Sequence, residues 1–177
     1  MMIGCLVGSW NYGWGQCPGG NVFLQNQTDV DNFVATYPSC TTISGYLALV
    51  NQSASDPITD ISGLSSLTSI SGNVAIAETS LTNLNGLQNI QYYSGYLQIY
   101  GNTLLTSISA LSVIQVPWIR LRIDNNDALI SIDGIENLTN AWSSLEIWNN
   151  ANLADISALS NLNAVGNISI SNNDALT

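Results

Sequence analysis

Lysine and histidine are absent from this 177-residue chain, and Arg120 and Arg122 are its only basic side chains. Without histidine, the usual general base near neutral pH and the commonest neutral metal ligand are missing. Twelve acids bring the net charge to −10, so nucleic acid and anionic membrane find no basic patch to bind. Charged residues make up 8% of the chain, against roughly a quarter in an average soluble domain. Asn, Ser, Thr, Gln and Gly supply the polarity instead. Long apolar runs are also lacking, and none approaches the ~20 residues of a membrane-spanning helix. There is no glycine-rich phosphate loop, zinc-ligand spacing or dinucleotide fingerprint, and no serine has a base beside it at a nucleophile's spacing. The chain therefore reads as non-catalytic, with no cofactor and no metal centre. A calcium site at Asp124 and Asp127 is the weaker alternative, since hard cations take clustered oxygens.

Cysteines are few and confined to the first forty residues. Cys17 and Cys40 bracket TDVDNFVATYP, which reads as a short helix with Thr28 as N-cap, Asp31 at the third helical position and Pro38 as the stop. Either a disulfide closes this loop, which implies an oxidising, extracytoplasmic setting, or two reduced thiols are buried there. Cys5 is left over, free or paired with another chain. Residues 1–16 are apolar and glycine-rich, and Trp10, Tyr12 and Trp14 alternate as in a strand. They are a signal remnant or a strand used in assembly.

What is abundant is self-similarity. An apolar-x-apolar pair recurs as Leu47/Leu49, Val74/Ile76, Leu97/Ile99, Leu121/Ile123, Leu145/Ile147 and Ile168/Ile170. Its first members lie 27, 23, 24, 24 and 23 residues apart. Further apolar ladders keep the same register, among them Leu81, Leu105, Leu129, Leu153 and Leu176. A pair at period two is a strand, and apolar residues at period three suit short 3-10 turns. No such coil buries its own apolar side, so each must stack on its neighbours. One polar ladder runs within the apolar ones. Asn102, Asn126, Asn150 and Asn173 each stand three residues after a strand pair, where an amide can serve the backbones of adjacent coils. Glu78 and Thr79 occupy that place in the second coil, and NQSASDP interrupts the first as a protruding loop. Trp118 and Trp142 fall three residues before a strand pair, at core positions.

The pattern L-x-I-x-x-N-x-x-L-x-x-I-x-x-L-x-x-L resembles a leucine-rich repeat, more narrowly the receptor L-domain type. CPGGNVFLQNQTDVDNFVATYPSC followed by TTISGYLALV resembles that family's disulfide-closed cap and first strand. The likeness spans Cys17 to Thr177. It implies a repeat solenoid of right-handed coils of about 24 residues, with one parallel β-sheet, short turns or 3-10 segments on the other faces, and an N-terminal cap closed by Cys17 and Cys40. The chain then divides into the segment 1–16, the cap 17–45 and a solenoid 46–177 of about six coils. The sequence stops at SNNDALT, partway through the last coil, which leaves its apolar layer for further chain or another molecule to cover. Family members occur as ligand-binding ectodomain modules and as bacterial surface proteins. The resemblance thus implies extracellular or cell-surface recognition without naming the ligand.

Residues that flank and split each strand pair point outward. They give the rows Tyr46, Ala48, Val50; Asn73, Ala75, Ala77; Tyr96, Gln98, Tyr100; Arg120, Arg122, Asp124; Ser144, Glu146, Trp148; and Asn167, Ser169, Ser171. The candidate ligand-binding set is Tyr96, Gln98, Tyr100, Arg120, Arg122, Asp124, Glu146 and Trp148, a mixed aromatic and polar patch able to stack on a sugar or a protein loop. An Arg122–Glu146 pair is expected across neighbouring strands. The chain is thus read as a non-catalytic recognition or adhesion module for a carbohydrate or protein. The alternative is a subunit that joins copies of itself end to end into a filament, through its N-terminal strand and open last coil, with Cys5 as a covalent lock.

Overall fold

The computed structural model describes residues 17–113, 120–141 and 143–177. Seven strands form one parallel sheet in simple chain order: β1 (Val22–Leu24), β2 (Leu47–Val50), β3 (Val74–Ala77), β4 (Tyr96–Tyr100), β5 (Arg120–Asp124), β6 (Ser144–Trp148) and β7 (Ile168–Ser171). Their register pairs Leu47 with Val74, Val74 with Leu97, Leu97 with Leu121, Leu121 with Leu145, and Leu145 with Ile168. Those are the first members of the apolar pairs. The strand before them, β1, is an addition: Val22 and Leu24 pair with Leu47 and Leu49 and extend the core into the cap.

From β2 to β6, the inward residues are 0–4% exposed and form one continuous core. Burying each Leu or Ile side chain contributes about 1.5–3 kcal/mol. The segments that lead from one strand to the next are short and irregular. Three of them turn through 3-10 helices at Ser62–Ser66, Ser109–Leu111 and Ser157–Asn161. Two others use Gly86 and Gly134 at φ +118 and +117, a conformation that glycine adopts without steric cost. A Cβ on Gly134 would also lie 2.4 Å from the Ile108 carbonyl oxygen, so the two connecting segments meet there backbone to backbone. Two-residue strands at Thr42–Ile43, Ser69–Ile70 and Tyr92–Tyr93 make a second small parallel sheet, and Asn140–Ala141 pairs with Ala164–Val165.

The asparagine ladder closes the turns that leave β4, β5, β6 and β7. Asn126 donates its backbone N–H to Asn150 Oδ1 at 3.0 Å and its Nδ2 to the carbonyls of Ile99 and Asp124 at 3.0 and 3.1 Å. Its own Oδ1 accepts from Asn102. After β3, Thr79 does part of the same work, giving its N–H and hydroxyl to Asn102 Oδ1 at 3.0 and 2.7 Å. One residue earlier runs a row in left-handed backbone: Glu78, Gly101, Asn125, Asn149 and Asn172, with φ between 54 and 69. Asn and Gly tolerate that region best.

The cap is closed by a disulfide between Cys17 and Cys40. Its helix, α1, spans Gln27–Thr36 and starts earlier than Thr28 capping would place it. Asn26 is the N-cap, accepting from the Asp29 N–H at 2.7 Å, and the Asp29 carboxylate accepts from the Gln25 N–H at 2.9 Å. This is a reciprocal capping arrangement two residues upstream of the expected one. The NQSASDP segment does not protrude freely. Asp56 accepts the Thr28 N–H at 3.0 Å, and Gln27 Oε1 accepts from the N–H groups of Thr59 and Asp60 at 2.9 and 3.0 Å. The carboxylate at the positive end of α1 ties the loop down. Residues 1–16 with Cys5, and Trp118 and Trp142, lie outside the described residues.

Candidate ligand-recognition face

Tyr96, Gln98 and Tyr100 come from β4, Arg120, Arg122 and Asp124 from β5, and Glu146 and Trp148 from β6. The parallel register places Gln98, Arg122 and Glu146 side by side, and Tyr100, Asp124 and Trp148 in the next line. The eight candidate residues are therefore together on three adjacent strands, about 4.8 Å apart.

Their pairing differs from the expected Arg122–Glu146 ion pair. Arg120 reaches diagonally to Glu146, with Nε and Nη2 3.2 and 2.9 Å from Oε1 and Nη2 3.3 Å from Oε2. The Ser144 hydroxyl adds a bond to the same carboxylate at 3.0 Å. Arg122 turns instead to Asp124 on its own strand, with Nη2 2.5 Å from Oδ2. Register fixes which side chains are neighbours, but a long guanidinium stem can still choose a partner two residues along. Both arginines lean toward the carboxy-terminal ends of the strands.

Aromatic rings complete the arrangement. Arg120 lies over Tyr96 at 5.4 Å from the ring centre, and Arg122 sits 5.6 Å from the rings of both Tyr100 and Trp148. Each such contact contributes about 0.5–2 kcal/mol, more as water is excluded. The Arg122 Nε is buried and has no hydrogen-bond partner, which fits a guanidinium wedged between two rings. Asp124 and Glu146 are 3% and 6% exposed. They face their arginines from beneath, so the surface is made by the rings, Gln98 and the guanidiniums.

Several supporting residues were not evident as candidates in the sequence. Ser169 accepts the Trp148 indole N–H at 2.9 Å. Asn125 and Asn149 each donate to Asp124 Oδ1, at 2.8 and 3.0 Å. The signal available for them is the Asn-Asn dipeptide after three successive strands, at 125, 149 and 172. Among the described residues, no group of three His, Cys, Asp or Glu is placed to hold a metal ion. The Asp124 carboxylate, offered above as a calcium ligand, is instead occupied by Arg122, Asn125 and Asn149. A groove of about 340 Å³ lies between α1 and the first 3-10 turn, lined by Val30, Asp31, Val34, Asp60 and Gly63 among others, and none of the face residues reaches it.

The model of the receptor L domain matches residues 39–133, more than half of the chain. The chain belongs to the receptor L-domain family. No curated protein and no solved structure matches it. The matched span of this receptor L domain includes Tyr96 through Asp124 and stops before Glu146 and Trp148. Receptor L domains are non-catalytic, ligand-binding extracellular modules, and the Cys17–Cys40 disulfide is consistent with an oxidising compartment. Among the described residues, no helix is long and apolar enough to cross a membrane.

Proposed function

We propose that this receptor L domain recognises a carbohydrate or protein at the cell surface through the outward face of β4, β5 and β6. Tyr96, Gln98, Tyr100, Arg120, Arg122 and Trp148 make the contact, and Asp124 and Glu146 hold the two arginines in place. The observation that carries this reading is Arg122 held between Tyr100 and Trp148, 5.6 Å from each ring. All of the chain's cationic charge is concentrated there, in rotamers fixed before any ligand arrives. Such preorganisation lowers the entropy cost of binding, and Tyr, Trp and Arg are the residues that dominate interface energies. Glycan and secreted-protein arrays probed with the parent and with Tyr100→Ala/Trp148→Ala test it. Loss of these anchors is expected to cost about 2 kcal/mol or more of binding. Equal binding by the double variant removes the face as the site.

The same reading takes the backbone as a right-handed solenoid of about 24-residue coils, with residues 17–45 as the cap and 46–177 as the coils. Strand offsets of 23–27 residues support it. A second reading is end-to-end self-assembly into an extracellular filament, in which another copy would cover the apolar residues at β7. At β7, Ile168 is 48% exposed, and Ile170, Leu159 and Leu162 are only partly buried. Electron microscopy at high protein concentration separates the two: regular filaments support assembly, and uniformly single particles exclude it.

A further inference from the structure

Beside the aromatic patch runs the row of amides at Asn125, Asn149 and Asn172, and it narrows the ligand. We propose that the carboxy-terminal end of the sheet face, from Tyr100 past Trp148 to Asn172, binds a neutral linear saccharide lying across the strands. This rests on the reading of the face as the recognition surface.

Charge excludes the other classes. Each guanidinium on the face already has its own carboxylate, Glu146 for Arg120 and Asp124 for Arg122. The four ionised groups sum to zero. An acidic ligand must compete with those carboxylates and approach a chain of net charge −10; a basic one meets two guanidiniums. A protein loop seeks a desolvated apolar pocket for its anchor side chain. Here Arg122 fills the space between Tyr100 and Trp148.

What the surface offers suits a sugar. Trp148 is held by its bond to Ser169, so the indole keeps one orientation, and aromatic faces stack on the apolar faces of pyranose rings. Past the rings, Asn172 Nδ2 donates to Asn149 Oδ1 at 2.9 Å, and Asn149 Nδ2 donates to Asp124 Oδ1 at 3.0 Å. Asn125 Nδ2 joins the same oxygen at 2.8 Å. The buried carboxylate thus orients all three amides. Among the described residues, the Oδ1 atoms of Asn125 and Asn172 accept no hydrogen bond, and both side chains are exposed. They are acceptors fixed two rungs apart on a ladder with a repeat of about 4.8 Å, where the hydroxyls of a linear glycan can donate.

Calorimetric titration of the full chain with cellohexaose, mannohexaose and a hexameric oligogalacturonate tests this. A neutral hexaose is expected to bind, with the acidic one at least about tenfold weaker. Asn125→Gly with Asn172→Gly should weaken the neutral ligand about tenfold, the worth of one or two hydrogen bonds. It should leave the melting temperature near the parent's, because glycine accepts φ 54–55 freely. Trp148→Ala should abolish binding. Binding of the acidic hexamer as tight as the neutral ones overturns the proposal, and so does no binding by either neutral hexaose. If an array protein is bound in a Trp148-dependent way while no saccharide binds, the saccharide assignment fails and the recognition face stands. If a neutral hexaose binds equally to Trp148→Ala, both fail.

Discussion

Asn126 has no exposed surface, yet its amide serves three backbone groups on or beside two adjacent strands, and its own N–H is taken by Asn150 Oδ1. Removing its amide leaves the Asn102 N–H without its partner in a dry interior and takes one donor each from the Ile99 and Asp124 carbonyls, the latter keeping the Gly101 N–H. Each buried group left unpaired costs about 1–3 kcal/mol. Asn126→Ala is therefore expected to destabilise the fold by about 1–3 kcal/mol, read as a lowered urea midpoint. A loss below about 1 kcal/mol would mean that water replaces the amide. The structural role of this residue is legible in the sequence because it recurs at one fixed distance after every strand pair from the third onward. The roles of Arg120 and Arg122 are not. Their outward placement follows from the period of two, but their choice of carboxylate does not, since Arg122 has an acid both across the strands at Glu146 and along its own strand at Asp124. Asp124 and Glu146 look like surface contacts in the sequence and are 3% and 6% exposed in the structure, because the arginines and their rings lie over them.

At the scale of the elements, the turns repeat as faithfully as the strands. Asp60, Asn83, Ser107 and Asp155 each accept the N–H two residues ahead, at 2.7–3.2 Å. Side chains of this kind pre-form a turn. The Ser62 and Ser157 backbone bonds, with their hydroxyls, pull the Asp60 and Asp155 carboxyls below the ordinary 3.8. A lowered folded pKa adds stability that is fully present above the unfolded value and disappears as pH falls through the folded one. Asp60→Asn/Asp155→Asn keeps the turn-forming oxygen, as Asn83 shows, and removes the charge. The melting-temperature gap between parent and variant should be widest near neutral pH and close below about pH 3.8. A gap unchanged down to pH 2 contradicts the assignment. This row is hard to see in the sequence because Asp, Asn and Ser alternate in it, where the apolar ladders keep nearly one residue type. The helix start at Asn26 is missed for a related reason: Thr28 also has an acid three residues on, and only the folded-back Asp56 loop, which takes the Thr28 N–H, decides between them. β1 escaped notice because its single Val22/Leu24 pair lies in the cap, with no ladder behind it.

Across the whole molecule, the sheet is the part most fully written in the sequence, since each of its seven strands carries an apolar-x-apolar pair at a spacing of 23–27 residues from the next. The proposed recognition face is written only in outline: its rows of residues can be listed, but its charge balance and its stacked rings arise from side chains crossing between strands. The outcome is an acidic receptor L domain with one locally neutral, aromatic surface, where the two arginines are already held. Hydrogen–deuterium exchange on the protein with and without a ligand from the arrays locates the contact most directly. Protection should fall on peptides covering 96–100, 120–124 and 144–148, with the far-side turns unchanged. Protection confined to the 3-10 turns or to α1, with those three strands unaltered, would contradict the assignment of the sheet face.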